Sequence, residues 1–519
     1  MIIFQAYQQL KAGIPFNNQL TELLRQEQRQ ILPHQWSSLA CLLSQREEIP
    51  ASEFLNWISS QFPEICKFLD WQKCNRPSMA EDERLCDFLF RLSNEKELGS
   101  DLINWWVSGV VEQEISLQYI SFCLMTILLK GLKNLDLVFL TKAFTASGRV
   151  YDYRSQCGSD VKLIRRYPTG ALSEKTALIL PSMIAAMRDE IPVATSFLIA
   201  RSLSFTGGTW DKLSSIPNFT FPSPGEETLR ILKSCGVAMT VTNHDVNPAD
   251  KILYQLRSAT GTVESNDLIV SSIVSKQLSF PVDQLLLDVR YGQGAFLIDC
   301  HHAKKVANTM IDLLKNNGVN TTAVFTDTLE PNGSSIGNAL EVIEAIAILS
   351  RNYGFWNTKG LSSQIEIVCL MFANLFSESF PSRSFQEWFA CGKEILDNGK
   401  AYDAFLAMLR SHCVHEETIQ KIQKDPWRAL LGDVASIPII SSVKGIVRGI
   451  DQKKLGFFTN FALGGAGSPY ACSFNSKSGI RLNKLLGDTV CIGEILGWVI
   501  TDEIINVEEF NLQSCFIIN

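Results

Sequence analysis

The chain has 519 residues, of which 46% are apolar and 19% are charged, and its formal net charge is −7. The length predicts more than one domain, and the composition is typical of a globular protein. The negative charge argues against a surface that binds nucleic acid. No run approaches the roughly 20 apolar residues that span a membrane, and Gln and Lys interrupt the start MIIFQAYQQLKAG, unlike a signal peptide. We therefore expect neither nucleic acid nor a membrane as a partner.

Fourteen cysteines are scattered along the chain without a CxxC pair. This spacing favours reduced, mostly buried thiols over a disulfide framework or a zinc site. We therefore predict a cytoplasmic protein.

The first 157 residues of the chain are predicted to be helical. Residues 1–95 contain short amphipathic patterns such as NQLTELLRQEQRQIL and are expected to form a separate helical extension. Residues 96–157 continue with helical patterns, and residues 246–281 return to them. These two segments are predicted to form one helical domain.

From about residue 158 the pattern changes to short apolar runs that alternate with helical stretches. The runs VAMTV (237–241), LLLDV (285–289) and AVFTD (323–327) are typical of buried parallel strands in βαβ units. An α/β domain is therefore expected at residues 158–245 and 282–435, with a central mixed, mostly parallel sheet. Short Gly- and Asp-punctuated strands predict a β-rich subdomain at 436–519. The expected fold class is α/β, with the helical domain attached.

Arg257, Ser272 and Lys276 stand in an otherwise apolar or small-residue background. Ser272 and Lys276 are four residues apart in a run without Gly or Pro, so on a helix they share one face. A fork-shaped donor, a hydroxyl and an ammonium group can converge on one planar, oxygen-rich ligand. The alternative is that the two cations are simply solvated.

Four glycine-containing segments near strand-to-helix junctions are the next candidates for a binding site. Glycine permits tight turns there, and exposed backbone N–H groups can hold anions. The segments are RRYPTGALSEKTAL (165–178), RSLSFTGGTWDKLSSIP (201–217), DVRYGQGAF (288–296) and TDTLEPNGSSIGNALEV (326–342). Together with PADKILYQLRSATGTVES (248–265) and SSIVSKQL (271–278), they resemble the thymidine and pyrimidine-nucleoside phosphorylases over residues 96–519.

The resemblance implies a pentosyltransferase of nucleoside salvage. In that family a pyrimidine nucleoside lies between a helical, dimer-forming domain and an α/β domain. Phosphate attacks C1′ of the sugar, and the base leaves as an anion, so the chemistry needs donors to the base and a polar loop for phosphate. A homodimer that uses no cofactor is therefore expected.

The resemblance also assigns the residues of the site. Catalytic roles fall on Arg257, Lys276 and Tyr167, the last standing where the family has histidine. The base is assigned to Leu203, Tyr254, Arg257, Val263, Ser272, Lys276 and Phe296. Phosphate is assigned to Arg166, Thr176 and Thr209.

The loop assigned to phosphate departs from the family pattern. Pro168 replaces a serine and so removes a hydroxyl and a backbone donor. Ala177 and Ile199 replace further hydroxyls, and Tyr167 is a poorer proton shuttle near neutral pH than histidine. Three missing hydroxyls weaken phosphate binding by several kcal/mol, at ~1–3 kcal/mol for each hydrogen bond to a charged partner.

No metal site is predicted. His301 occupies the position of the glutamate that holds a monovalent cation in part of the family, and the adjacent pair His301–His302 rarely ligates one ion. His412 and His415 flank Cys413 without an evident fourth ligand. His244, near the return to the helical domain, is a second candidate for the role of the missing histidine.

Three functions remain open at this point. The first is classical phosphorolysis. The second is an altered reaction with another acceptor or with a nucleotide, in which Arg165 and Arg166 would clamp an anion. The third is a non-catalytic protein that keeps the pyrimidine pocket.

Overall fold

The computed structural model of the protein describes residues 79–465 and 474–519. Most of the predicted amino-terminal extension, residues 1–78, lies outside the described residues. The described chain divides into a smaller unit, residues 79–143 with 249–269, and a larger unit, residues 144–248 with 270–519. The four-part division predicted from the sequence stays a prediction.

The smaller unit is helical. Phe88 and Trp106 stack at 5.3 Å between ring centroids in its core. The carboxylate of Asp136 accepts hydrogen bonds from the backbone N–H groups of Leu98 and Gly99, both at 3.0 Å, and so fixes the start of the second helix. Numbered in chain order, its helices are α1 (Met79–Ser93), α2 (Ser100–Val111), α3 (Leu117–Lys130), α4 (Asn134–Ala146), α8 (Pro248–Thr260) and α9 (Asn266–Ser279), and the unit boundary falls within α4 and α9.

The larger unit is built on a five-stranded sheet in the order β3-β2-β1-β4-β5, with every neighbouring pair parallel. Its strands are rich in buried Val, Leu and Ile because helices cover parallel sheets on both faces. The predicted strand VAMTV coincides with β3. The bounds are β1 (Lys162–Pro168), β2 (Val193–Ile199), β3 (Val237–Val241), β4 (Gln284–Tyr291) and β5 (Asn320–Asp327).

Helices separate the strands of this sheet, as predicted, and between residues 338 and 430 six helices follow one another without a strand between them. The helices are α5 (Thr176–Ala185), α6 (Thr209–Leu213), α7 (Glu226–Cys235), α10 (Cys300–Lys315), α11 (Asn338–Leu349), α12 (Thr358–Ser379), α13 (Phe385–Asp397), α14 (Lys400–Ser411), α15 (Glu416–Lys424) and α16 (Pro426–Leu430). By length and composition α12 is apolar enough to cross a membrane, but 56% of its most apolar window is buried and it packs on β1 and β4. In the part of the chain that the structure describes, α12 has the position of a core helix.

The carboxyl-terminal part of the larger unit is rich in short strands. A four-stranded antiparallel sheet has the order β6-β9-β11-β7, and a three-stranded one has the order β10-β8-β12. A π-helix follows α17 and continues it. The elements are β6 (Ser335–Ile336), β7 (Ala435–Ile440), β8 (Gly445–Ile450), α17 (Gln452–Phe457), the π-helix (Phe458–Ala462), β9 (Gly479–Leu482), β10 (Thr489–Val490), β11 (Ile495–Thr501) and β12 (Phe516–Ile518). The predicted fold class is confirmed, and the central sheet is wholly parallel rather than mixed.

Candidate active site

Arg166, at the fifth position of β1, enters a buried cluster of charges. Its Nη2 donates to Glu174 Oε1 at 2.9 Å and to Asp288 Oδ2. Asp288 Oδ2 also accepts from Arg290 Nε at 2.8 Å. Because Arg166 stands opposite Leu286 in the parallel β1–β4 pair, Asp288, two residues further along, faces the same side of the sheet. Two guanidinium groups and two carboxylates therefore balance one another inside the protein.

The surrounding charges keep Arg166 and Glu174 ionised. Burial by itself raises the pKa of the Glu174 carboxyl, but Arg166, Lys212 and Arg290 outweigh it and hold that pKa at about 2. Burial likewise lowers the pKa of Arg166, and Asp288 and Glu174 more than reverse that effect. A phosphate that bound Arg166 would compete with two carboxylates already in contact. The assignment of Arg166 to phosphate stays a prediction, and these ion pairs weigh against it.

Thr176 and Thr209, the other residues assigned to phosphate, each begin a helix. Thr176 is fully buried at the start of α5, and its hydroxyl oxygen accepts from Gln364 Nε2 at 3.1 Å and from Arg290 Nη2 at 3.4 Å. Thr209 begins the short helix α6 and is partly exposed. Tyr167 is half-buried near the end of β1. Thr209 is therefore the more accessible of the two threonines, and all these roles stay predictions.

Two buried lysine–glutamate ion pairs lie near Glu174, and they were not predicted from the sequence. Lys175 Nζ lies 3.1 Å from Glu344 Oε2, and Lys212 Nζ lies 2.7 Å from Glu341 Oε2, with all four side chains at most 2% exposed. Lys212 Nζ also donates to the backbone oxygen of Glu174 at 2.6 Å. A signal was present, because both glutamates stand three residues apart in the otherwise apolar α11 sequence NALEVIEAIAIL.

Arg165 points to the face of β1 opposite to Arg166, as adjacent strand residues do. It is fully buried, and its Nη2 donates to the backbone oxygen of Phe280. Nε and Nη1 have no hydrogen-bond partner, and among the described residues no carboxylate forms an ion pair with it. Burial lowers its pKa to about 9. The two arginines therefore do not form the single anion clamp that one sequence-based alternative requires.

The base half of the predicted site contains a side-chain contact between two assigned residues. Ser272 and Lys276 lie on one face of α9, and Lys276 Nζ donates to Ser272 Oγ at 2.7 Å. The predicted helical spacing is thus observed in the larger unit. Lys276 is half-buried, and Ser272 holds its ammonium group.

Arg257, on α8 in the smaller unit, is buried, and burial lowers its pKa. Its Nη2 donates to the backbone oxygen of Val263 at 2.6 Å and its Nη1 to that of Leu268 at 3.1 Å. Tyr254 lies one turn earlier on the same helix. Two backbone carbonyls therefore fix the orientation of the guanidinium.

The assigned base-binding residues divide between the two units. Tyr254, Arg257 and Val263 belong to the smaller unit, whereas Leu203, Ser272, Lys276 and Phe296 belong to the larger one. Their shared role in binding a base stays a prediction.

The apolar wall assigned to the base includes Phe296, which packs in the larger unit against the loop after β1. A Cβ added to Gly170 would lie 3.0 Å from the Phe296 ring, and Gly170 has φ +100°. Glycine is therefore required here both by the backbone angle and by the close approach of the ring. The Phe296 ring also lies 5.3 Å from the ring of Phe205, measured between centroids.

His412 is a core histidine. Its Nε2 accepts from the backbone N–H of Met239 at 3.2 Å, which leaves Nδ1 to donate to the backbone oxygen of Thr220 at 2.8 Å. Its ring stacks on Phe219 at 4.6 Å. His415 lies at the surface, where Nδ1 is 3.2 Å from Asn218 Nδ2. Across residues 79–465 and 474–519, no group of three His, Cys, Asp or Glu side chains is placed to hold a metal.

His412 should make the protein acid-sensitive. Burial lowers its pKa to about 4, while the unfolded chain takes up the proton near 6.5. The stability that depends on neutral His412 is present above pH 6.5 and is lost as the pH falls toward 4. We expect the free energy of unfolding to fall by about 2 kcal/mol between pH 7 and pH 5, and urea denaturation at the two pH values measures this change. His412→Gln should remove this part of the pH dependence, and equal losses in both proteins would contradict the assignment.

The chain is similar in sequence to known proteins. Residues 169–402 match the family model described as glycosyl transferase family, a/b domain. Thymidine phosphorylase of Mycoplasmoides pirum is 39% identical over 259 residues, which cover 50% of this chain and 60% of that protein, less than two thirds of its length. Pyrimidine-nucleoside phosphorylase of Bacillus subtilis strain 168 is 31% identical over 413 residues, which cover 80% of this chain and 91% of that protein. Anthranilate phosphoribosyltransferase from Thermus thermophilus superposes with a TM-score of 0.48 at 14% identity, covering 63% of this chain and 99% of that chain.

Proposed function

Because the chain belongs to the pyrimidine-nucleoside phosphorylase family, we propose that it transfers the pentosyl group of a pyrimidine nucleoside to phosphate and releases the base. The C1′–N bond of the nucleoside breaks, its electron pair leaves with the base, and a phosphate oxygen forms the new bond to C1′. The observation that carries the proposal is the similarity to a phosphorylase over 91% of that relative's length.

The residues assigned to the base supply the chemistry that this reaction needs. Negative charge develops on the pyrimidine as the C1′–N bond breaks, and positioned donors stabilise such charge. Arg257 and Lys276 are both cationic, and each is oriented by hydrogen bonds inside its own unit. The phenol of Tyr167 serves as a further donor to the base.

The proposal is tested by incubating the purified protein with thymidine, deoxyuridine or uridine and inorganic phosphate. The expected products are free base and a pentose 1-phosphate in equal amounts, followed by chromatography and phosphorus NMR. Absence of both products at every phosphate concentration, from protein that is folded by circular dichroism, would rule the proposal out.

A second candidate function is favoured by the buried partners of Arg166. If Glu174 and Asp288 keep that cation from phosphate, the protein binds pyrimidines without phosphorolysis or passes the pentosyl group to another acceptor. Calorimetry would then detect thymine or uracil binding without turnover, whereas base release in phosphate-free buffer would indicate another acceptor. Binding that is unaffected by Arg257→Ala would exclude the predicted pocket.

The protein is further proposed to act as a homodimer through α3. One exposed side of this helix carries four apolar or aromatic residues at helical spacing, with the exposed Gln118 beside them: Tyr119 (45% exposed), Phe122 (47%), Met125 (38%) and Leu129 (73%). An exposed apolar stripe of this kind is typical of a subunit interface.

Ten cysteines in the described residues are free thiols, which supports a cytoplasmic location.

Phe122→Asp should convert the dimer to a monomer, because a carboxylate at the centre of the stripe would be buried without a partner. Sedimentation equilibrium measures the mass. Asn104→Asp on the exposed side of α2 is the control and should remain a dimer. A wild-type protein that is monomeric at high concentration would contradict the proposed interface.

A further inference from the structure

A single carboxylate closes the loop between β2 and α6. Asp211 Oδ2 accepts hydrogen bonds from the backbone N–H groups of Ser202 at 2.5 Å and of Gly208 at 3.2 Å. Between these two points, Leu203 and Thr206 exchange backbone hydrogen bonds at 3.2 and 3.0 Å. The two ends of the loop are therefore tied to each other through the Asp211 side chain.

The tip of the same loop is held by the carboxyl-terminal part of the larger unit. Asn460 Nδ2, in the π-helix, donates to the backbone oxygen of Ser204 at 3.1 Å. A Cβ added to Gly456 would lie 2.3 Å from the backbone oxygen of Phe205. The loop is thus fixed at its tip by packing, and at its base by Asp211.

Ionisation of the buried Asp211 carboxylate lowers the stability of the fold. Asp211 is fully buried, and its Oδ1 has no hydrogen-bond partner in the described part of the chain. Burial raises its pKa to about 6, although the amides of Ser202 and Gly208 and the charges of Arg201 and Lys212 act in the opposite direction.

The charges around Asp211 come from three elements. Arg201 belongs to the loop and stacks on Trp210 at 4.0 Å, Lys212 follows Asp211 on α6, and Glu341 on α11 pairs with Lys212. Because the folded-state pKa of Asp211 lies above that of the unfolded chain, its ionisation destabilises the fold above pH 6, and protonation relieves this as the pH falls toward 4. A residue kept at the expense of stability is typical of a functional site.

We propose that Asp211 is a positioning residue, whose carboxylate clamps Ser202 to Gly208 and so presents Leu203 to the base and Thr209 to phosphate. This inference rests on the proposed phosphorolysis for the roles of those two residues. The clamp itself is independent of any reaction, since it consists of hydrogen bonds within the protein.

Asp211→Asn tests the inference with two readouts. The variant should melt at or above the wild-type temperature at pH 7.5, and the difference should disappear as the pH falls from 6 to 4, because a neutral amide does not carry the buried charge. Its kcat/KM for phosphate should fall by about tenfold, as expected when a binding group is displaced. The part of the wild-type pH profile that changes near pH 6 should be absent from the variant. Asp312→Asn, at an exposed position on α10, is the control and should match wild type.

Hydrogen exchange of the 202–208 segment separates this inference from the proposed function. If wild type shows no phosphorolysis, the proposed function fails, yet faster exchange of this segment in Asp211→Asn and Asp211→Ala would still support the clamp. A variant that is less stable than wild type at pH 7.5 and exchanges this segment at the wild-type rate would overturn it. Unchanged kinetics for phosphate in an active variant would also overturn it.

Discussion

Replacing Arg166 with methionine should lower the free energy of unfolding by about 3–5 kcal/mol, because the change removes the cation that pairs with both buried carboxylates. Glu174 would lose its ion pair with Arg166, and Asp288 would keep only Arg290. The side chains of Arg166 and Asp288 are fully buried, so water cannot replace the lost contacts. Urea denaturation followed by circular dichroism measures the change.

The neighbouring residue provides a matched control. Arg165→Met removes a guanidinium that is equally buried but has no carboxylate partner among the described residues. Because an isolated buried charge costs free energy, this variant should be at least as stable as wild type. Two adjacent arginines on opposite faces of one strand should thus respond in opposite directions. A large loss of stability in Arg165→Met, or none in Arg166→Met, would contradict the charge assignment.

Lys276→Met should lower kcat/KM for nucleoside by about 100- to 1000-fold, the effect of removing one donor that stabilises charge in a transition state. Lys276 is half-buried, and its ammonium group contacts Ser272 Oγ. The family resemblance assigns this cation of the larger unit to the departing base. Methionine keeps most of the length of the side chain and its apolar packing. Initial rates of base release at saturating phosphate measure the effect.

Lys304→Met is the control for this change, since Lys304 is an exposed lysine on α10 of the same unit. Its kcat/KM should stay within about threefold of wild type. A Lys276→Met protein that keeps wild-type kcat/KM would remove this residue from the reaction. A variant that loses activity together with its fold would be recognised by its circular dichroism spectrum.

Much of the fold could be predicted from the sequence because its strands are short, apolar and separated by helical patterns. β3 has the predicted bounds, and β4 and β5 contain the predicted runs LLLDV and AVFTD. β1 was harder to predict because Lys162, Arg165 and Arg166 interrupt its apolar pattern. Buried partners allow such charges inside a sheet, and a partner such as Asp288, distant in sequence, does not appear in local periodicity.

The candidate site was predictable where neighbours in sequence are neighbours in space. Ser272 and Lys276 meet because helical spacing brings positions four apart onto one face. The surroundings of Arg166 were not predictable in this way, since its partner Asp288 lies 122 positions away. A cation next to a glycine loop resembles an anion site in the sequence, and the ion pairs of Arg166 with Glu174 and Asp288 become visible only in the fold.

The dependence of base release on phosphate concentration tests the central claim most directly. With thymidine or uridine in excess, the account predicts an initial rate that rises with phosphate, saturates, and yields one pentose 1-phosphate for each base released. Wild-type protein that is folded and binds pyrimidine, yet releases base at no phosphate concentration or at a rate independent of phosphate, would contradict it.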